Sequence, residues 1–477
     1  MQKELYKIPA TSLLEMFKRK ETNPLEVSLE IIKNLKNNNK KINAFVEYDE
    51  DKIIKQAKES SMRWDKKKLI GLLDGVPIGI KDLIITEDYL TRRGSYVESI
   101  PTISDRDAPV VAKIKSHGGV ILGKTTTPEF GHKGTTQSNR YGTTLNPWNL
   151  NLNAGGSSGG SSAAVAAGFG PLSIGTDGGG SVRIPCSFCG LFGHKPTFGR
   201  IPAYPLSPFG TVANIGPMSR TVGDSAILMN VITTPHKDDW YSLPPEDIDY
   251  TKHNFENIKS LRIGVIKYFG MKTFFDDLKI EEEVNIKIDE SIQVMKNEGL
   301  NIIDNINLDW PHNPADIFNI MWQTGAANLS KKISKEEFSK IDKNFLGFIE
   351  KGNRYSVFDL MGAEAKRGEN AVYLSHVFEK VDIIIGPTMP VASFDAEKNV
   401  PEGWNQEDIF SWTPFTYPFN LTKHPASTIN CNFTNNNLPV GMQIVAPLYG
   451  DNVCFKLAAY LEKIFALTHN WPTSIST

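Results

Sequence analysis

Serine hydroxyls set in two glycine-rich loops, and one lysine set in an apolar segment, are the groups of this 477-residue chain best placed to do chemistry. Ala154 to Pro185 reads AGGSSGGSSAAVAAGFGPLSIGTDGGGSVRIP, with one Gly/Ser cluster over 155–162 and a second over 178–181. Backbone with so little Cβ bulk adopts positive φ readily, approaches a ligand closely and turns several N–H groups into one concavity, which stabilises negative charge. Upstream, Val76, Ile78 and Ile80 alternate with Pro77, Gly79 and Lys81. A lysine at a strand edge ordinarily points to water. Held among apolar neighbours it loses ammonium stability instead, its pKa falls, and a neutral amine becomes available as a base near pH 7.

Three simpler readings of the glycine clusters can be tested on the letters. A phosphate-binding loop needs Lys followed by Ser or Thr after its last Gly, and Ser161 stands where that Lys belongs. Gly155 to Gly159 matches the G-x-S-x-G elbow, but the elbow must follow an apolar strand, and 146–153 is an Asn-rich loop. A flexible linker would not need to abut apolar segments, as both clusters do.

The motifs GGSSGGSSAAVAAG and GTDGGGSVRIP, with GVPIGIKD over 75–82, resemble the amidase signature family of serine amide hydrolases. The resemblance extends through Asn146-Pro147-Trp148 and KPTFGR over 195–200 to LPVGMQ over 438–443, nearly the whole chain. It implies Ser181 as nucleophile, Ser157 on a cis peptide bond as bridging serine and Lys81 as base, with the N–H groups of Gly178, Gly179, Gly180 and Ser181 as the oxyanion hole. It also implies an α/β fold with a mixed central sheet covered by helices on both faces, no cofactor, and hydrolysis of a small-molecule amide through an acyl-enzyme. In a close relative, the glutaminase subunit of a tRNA-dependent amidotransferase, an acid lies seven positions before the Asn of an Asn-Leu-x-x-x-Pro segment. Here that Asn is Asn420, and position 413 is a threonine. An inactive binding protein on the same scaffold is the other alternative, and the presence of all three triad positions weighs against it.

Composition narrows the rest. With 40% hydrophobic and 22% charged residues and a net charge of −2, the chain has material for a large core and no electrostatic footprint for nucleic acid or an anionic membrane. The amino terminus lacks a signal-peptide core, and no run of eighteen apolar residues occurs, so a cytoplasmic protein is expected. Cys186 and Cys189 form a lone C-x-x-C without a second pair or nearby histidine spacing, so no metal is expected. A homodimer is allowed.

The elements that must position these groups follow from periodicity. One domain is expected, with a helical layer over 1–65, the signature core over 66–235, a variable peripheral region over 236–375 and a sheet-completing part over 376–477. Asn23-Pro24 opens a helix whose face runs Leu25, Leu29, Ile32 and Leu35. Residues 108–116 read as a helix stopped at Gly118-Gly119, before the strand 120–122, and 163–167 as a short helix stopped at Gly168. Strands are expected at 261–265, 302–303 and 381–387, and a hairpin pairs 426–433 with 438–445 across an Asn-rich turn. The loop 125–141 carries Phe130, His132 and Gln137 beside the signature; Phe130 and Gln137 are candidate substrate contacts, and His132 reads as a bystander. Trp412 and Phe415 are further candidates, in a pocket that the aromatic run 412–419 makes apolar. Asp177 and Arg183 are expected to tie down the glycine loop.

Overall fold

A computed structural model describes residues 4–252 and 254–474. Eleven strands form one sheet: β1 Phe45–Tyr48, β2 Pro77–Lys81, β3 Val120–Thr125, β4 Leu172–Asp177, β5 Phe192–Lys195, β6 Asn214–Ser219, β7 Ile263–Val265, β8 Ile302–Ile303, β9 Ile383–Pro387, β10 Ala426–Phe433 and β11 Pro439–Val445. Their spatial order is β1-β3-β2-β4-β6-β5-β10-β11-β9-β7-β8. The β2 strand runs parallel to β3 and β4, β9 parallel to β7, and the middle of the sheet is antiparallel, so the sheet is mixed.

Alternating residues of one strand enter different cores, which is the mark of a sheet covered on both faces. Ile121 joins one apolar cluster while Val120 and Leu122 join another, and Ile383 and Ile385 part from Ile384 in the same way. The helix α1 Pro24–Ile42 belongs to the outer layer, and three helices border the site: α2 Gly159–Ala166, α3 Arg183–Cys189 and α4 Pro314–Ser330. The hairpin forms between Ala426–Phe433 and Pro439–Val445, with a register shift between Asn430 and Asn432 and with Asn437 at φ 57° in its turn.

Several expectations are corrected. The segment 1–65 is not helical throughout, because β1 adds an antiparallel edge to β3. Helix α1 begins at Pro24 with the Asn23 side chain accepting from the Glu26 N–H, but its buried face is Val27, Ile31, Ile32 and Leu35, and Leu29 is exposed. Helix α2 starts at Gly159 rather than near 163; the Gly159 N–H donates 2.9 Å to Thr136 Oγ1, and Thr126 and Thr136 lie so close to Gly160 and Gly159 that a Cβ would not fit at either. The segment 236–375 is more than peripheral: β7 and β8 extend the sheet, and α4 reaches the second glycine cluster. Among the described residues no helix is long and apolar enough to cross a membrane.

Candidate active site

The parallel strands β2 and β4 are neighbours, with Ile80 opposite Ile174, so their carboxyl ends carry Lys81 and the loop after Asp177 to the same edge. Side chains at the carboxyl ends of adjacent parallel strands converge where the chain leaves the sheet, the usual place for a ligand in α/β folds. Lys81 is 0% exposed. Its Nζ lies 2.7 Å from Ser157 Oγ, 2.8 Å from Ser158 Oγ and 2.8 Å from Thr176 Oγ1. Burial pushes its pKa well below the ordinary lysine value, while the nearby charge of Asp177 works in the opposite sense.

All three partners of Lys81 are hydroxyls, which donate or accept as needed, so neither the ammonium nor the amine is left with an unpaired group. Ser158 Oγ donates 3.1 Å to the Thr176 carbonyl and is thereby committed. Ser157 has no such acceptor among the described residues, and its hydroxyl is free to donate to a neutral Lys81. The Gly156–Ser157 peptide bond is cis.

Ser181 follows the second glycine cluster and is 8% exposed, whereas Ser157 is 1% exposed. No hydrogen bond joins the two hydroxyls among the described residues; the backbone link between the clusters is the Ser158 N–H donating 3.2 Å to the Ser181 carbonyl. Asp177 and Arg183 hold the loop from behind. Both are fully buried, paired at 3.0 Å, and Arg183 also donates to the Thr416 carbonyl, Gln443 and Asn420. Burial raises the Asp177 carboxyl, but Arg183 overrides it and holds the group well below the usual carboxylate range.

The oxyanion-hole expectation is corrected at one position. The Gly180 N–H donates 2.7 Å to Asp177 Oδ1 and is already spent. The N–H groups of Gly178, Gly179 and Ser181 have no acceptor among the described residues. The α-carbons of the two glycines meet aromatic rings: a Cβ on Gly178 would stand 2.8 Å from Trp322, and one on Gly179 would stand 2.7 Å from Phe318. Phe209, Trp322, Phe318 and Tyr417 form a ladder of near-parallel rings, 3.8, 5.1 and 4.8 Å apart in turn. Neither the contacts of Ser158 and Thr176 nor this ladder is legible in the sequence; the repeated serine is the one available signal for Ser158.

The expected substrate contacts divide. Phe130 is buried at φ 50° with its ring 5.3 Å from Phe345, and Gln137 is half-buried, its side chain unbonded among the described residues. Trp412 and Phe415 are 0% exposed. Trp412 stacks on Phe188 and bonds the Asn399 carbonyl, and Phe415 packs on Phe269, so these two shape the site from within the core rather than as an open wall. His132 is buried with Nδ1 on the Glu129 carbonyl, and His194 is held between Asp451 and Ser427. Cys186 and Cys189 are buried thiols facing the Phe192 and Ala154 carbonyls.

The model of the family described as Amidase matches residues 26–455. The chain is 32% identical to an acylamidase of Rhodococcus erythropolis over 97% of this chain and 96% of that one. It is 31% identical to a glutamyl-tRNA(Gln) amidotransferase subunit of Macrococcus caseolyticus over 95% of this chain and 96% of that one. Among solved structures, a 6-aminohexanoate cyclic dimer hydrolase superposes with a TM-score of 0.88 at 25% identity, covering 98% of this chain and 99% of that one. A bacterial aryl acylamidase of the amidase signature enzymes superposes with a TM-score of 0.87 at 25% identity, covering 97% of both.

Proposed function

The chain belongs to the amidase family and hydrolyses carbon–nitrogen amide bonds, and from that premise we propose that Ser181, Ser157 and Lys81 carry the reaction in a stand-alone enzyme. Ser181 Oγ attacks the carbonyl carbon of the amide and passes its proton to Ser157, which passes its own to the neutral amine of Lys81. The N–H groups of Gly178, Gly179 and Ser181 receive the developing oxyanion, each donor being worth about 3–4 kcal/mol where such donors have been removed elsewhere. Lys81 returns the proton through Ser157 to the leaving nitrogen, and water opens the acyl-enzyme along the same path. The observation that carries this reading is the 2.7 Å contact between Lys81 and the uncommitted hydroxyl of Ser157, inside a site that favours the neutral amine.

Independence from a partner protein rests on Thr413. It occupies the position of the glutaminase subunit's acid, is 2% exposed, and bonds the Phe410 carbonyl, so it offers no carboxylate for an amino-acid substrate. The purified protein should hydrolyse simple acyl amides and anilides unaided, with glutamine a poor substrate. A serine-directed phosphonyl fluoride should label Ser181 stoichiometrically. Glutamine hydrolysis that appears only with a partner protein and tRNA, or labelling elsewhere, would overturn the assignment.

A further inference from the structure

One peptide plane of the second glycine cluster is held from both sides. The Gly180 N–H donates 2.7 Å to Asp177 Oδ1, and on the opposite edge the Gly179 carbonyl accepts 2.6 Å from Thr416 Oγ1. The next plane is held as well, since the Gly180 carbonyl accepts 2.7 Å from the Ile184 N–H in the first turn of α3. A trans peptide points its N–H and its C=O in opposite directions, so these bonds also decide where the neighbouring N–H groups aim. Both anchors are rigid. Asp177 is fixed by Arg183 at 3.0 Å and by Asn420 Nδ2 at 2.9 Å. Thr416 is 0% exposed, and its own carbonyl accepts 2.9 Å from Arg183 Nη1. Its hydroxyl lies so close over Gly180, at φ 126°, that a Cβ there would not fit. A peptide between two glycines has no side chain on either flank to resist rotation, so hydrogen bonds alone set the tilt of the 179–180 plane. Without the Thr416 hydroxyl the Gly179 carbonyl would be a buried acceptor with no donor among the described residues, a state relieved only when the plane turns.

Resting on the reading in which Ser181 attacks and these N–H groups receive the oxyanion, we infer that Thr416 is a positioning residue for the hydrolysis. It has no hydrogen bond to Ser181, Ser157 or Lys81 among the described residues. It acts through the Gly179 carbonyl, keeping the Gly179 and Ser181 N–H groups aimed at the place where negative charge develops. Thr416 stands 237 positions from Gly179, inside the aromatic run 412–419, so the segment that packs the core also reaches the chemistry. Its effect falls on the transition state, because an oxyanion gains far more from well-aimed donors than the neutral amide oxygen does.

The test compares two pairs of full-length proteins that differ in this hydroxyl: the unaltered chain against Thr416→Val, and Thr416→Ser against Thr416→Ala, so that whichever pair folds reads the same group. Thr422→Val, which removes another buried hydroxyl, 2% exposed and bonded 3.1 Å to the Pro418 carbonyl, is the control for general damage. On a simple anilide each loss of the Thr416 hydroxyl should lower kcat roughly tenfold to 10²-fold with KM changed by less than about threefold, and Thr422→Val should do neither. A trifluoromethyl ketone analogue takes Ser181 Oγ onto its carbonyl carbon, the C=O π pair becoming the oxyanion and the serine proton passing through Ser157 to Lys81. Its inhibition constant should rise by the factor by which kcat/KM falls. The pH at which kcat/KM rises should stay in place, since the lysine relay is untouched. A loss expressed in KM, an unmoved analogue affinity, a shifted pH profile, or parity within each pair overturns the role of Thr416. Phosphonyl fluoride labelling of the unaltered protein, mapped by mass spectrometry, is scored separately. Labelling away from Ser181 would overturn the mechanism itself, whereas labelling at Ser181 together with a fully active Thr416→Val enzyme would overturn Thr416 alone.

Discussion

The six-membered ring of Trp322 lies against the α-carbon of Gly178, so that a Cβ added there would stand 2.8 Å from Cζ3. The indole cannot retreat, because its Nε1 donates 3.1 Å to the His132 carbonyl and its face is stacked on Phe209. A helix without any recognisable motif thus fixes the height of the glycine loop.

Gly178→Ala should therefore move the loop and not the ring. Displacing one oxyanion donor should lower kcat by roughly 10²-fold with a much smaller change in KM. Steady-state kinetics on a simple anilide check this, and Gly347→Ala, whose added Cβ meets nothing within 4 Å, serves as the control.

The histidines give a contrasting outcome. His194 is buried between Asp451 and Ser427, and burial pulls its pKa below the ordinary value. Replacement by Ala leaves Asp451 with Thr197 as remaining partner, so a loss of about 1–3 kcal/mol in unfolding free energy is expected. Activity at a temperature where the variant is folded should be retained, as it should in His132→Ala. A folded, inactive His132→Ala enzyme would instead make a histidine the base.

How much of this is legible in the letters depends on whether the signal is local. The strand holding Lys81, the helix stop at Gly118, the apolar strand over Ile383 to Ile385 and the Asn-rich hairpin each write their geometry within a few residues, and each forms as expected. The helix α1 is legible but its face is not, because Leu25 and Leu29 satisfy the same spacing as Val27 and Ile31 on the adjoining stripe. The contact between Trp322 and Gly178 spans 144 positions of sequence and rests on shape alone. Aromatic residues at helical spacing read as ordinary core, and Trp412 and Phe415, expected at the substrate, are core for the same reason.

Ser157 and Ser158 both touch Lys81, yet they should respond differently. Ser157→Ala breaks the proton path, and a water filling the gap would lack orientation, so a loss of ~10²-fold or more in kcat is expected. Ser158→Ala keeps the path and removes one acceptor from the ammonium. Its pH–rate profile should shift to lower pH, since the charged form loses a partner, with a loss in maximal kcat well below that of Ser157→Ala. Equal losses in the two variants would assign the bridging role to neither.

Lys81 makes two measurements agree. Its pKa is lowered in the folded protein by burial, so between that value and the unfolded value of ~10.4 the unfolded chain binds the extra proton. Stability then rises with pH across that window and levels off above it, the slope being set by one proton. Activity should rise with pH through the same folded-state ionisation, because only the amine accepts a proton from Ser157. Lys81→Met, which keeps the volume and discards the charge, should abolish both the activity and this component of the stability slope. The check is a kcat/KM profile and chemical-denaturation curves over one pH series. A Lys81→Met enzyme that is active with an unchanged profile would remove Lys81 from the mechanism. A stability slope that persists in the variant would place the linked proton on another group.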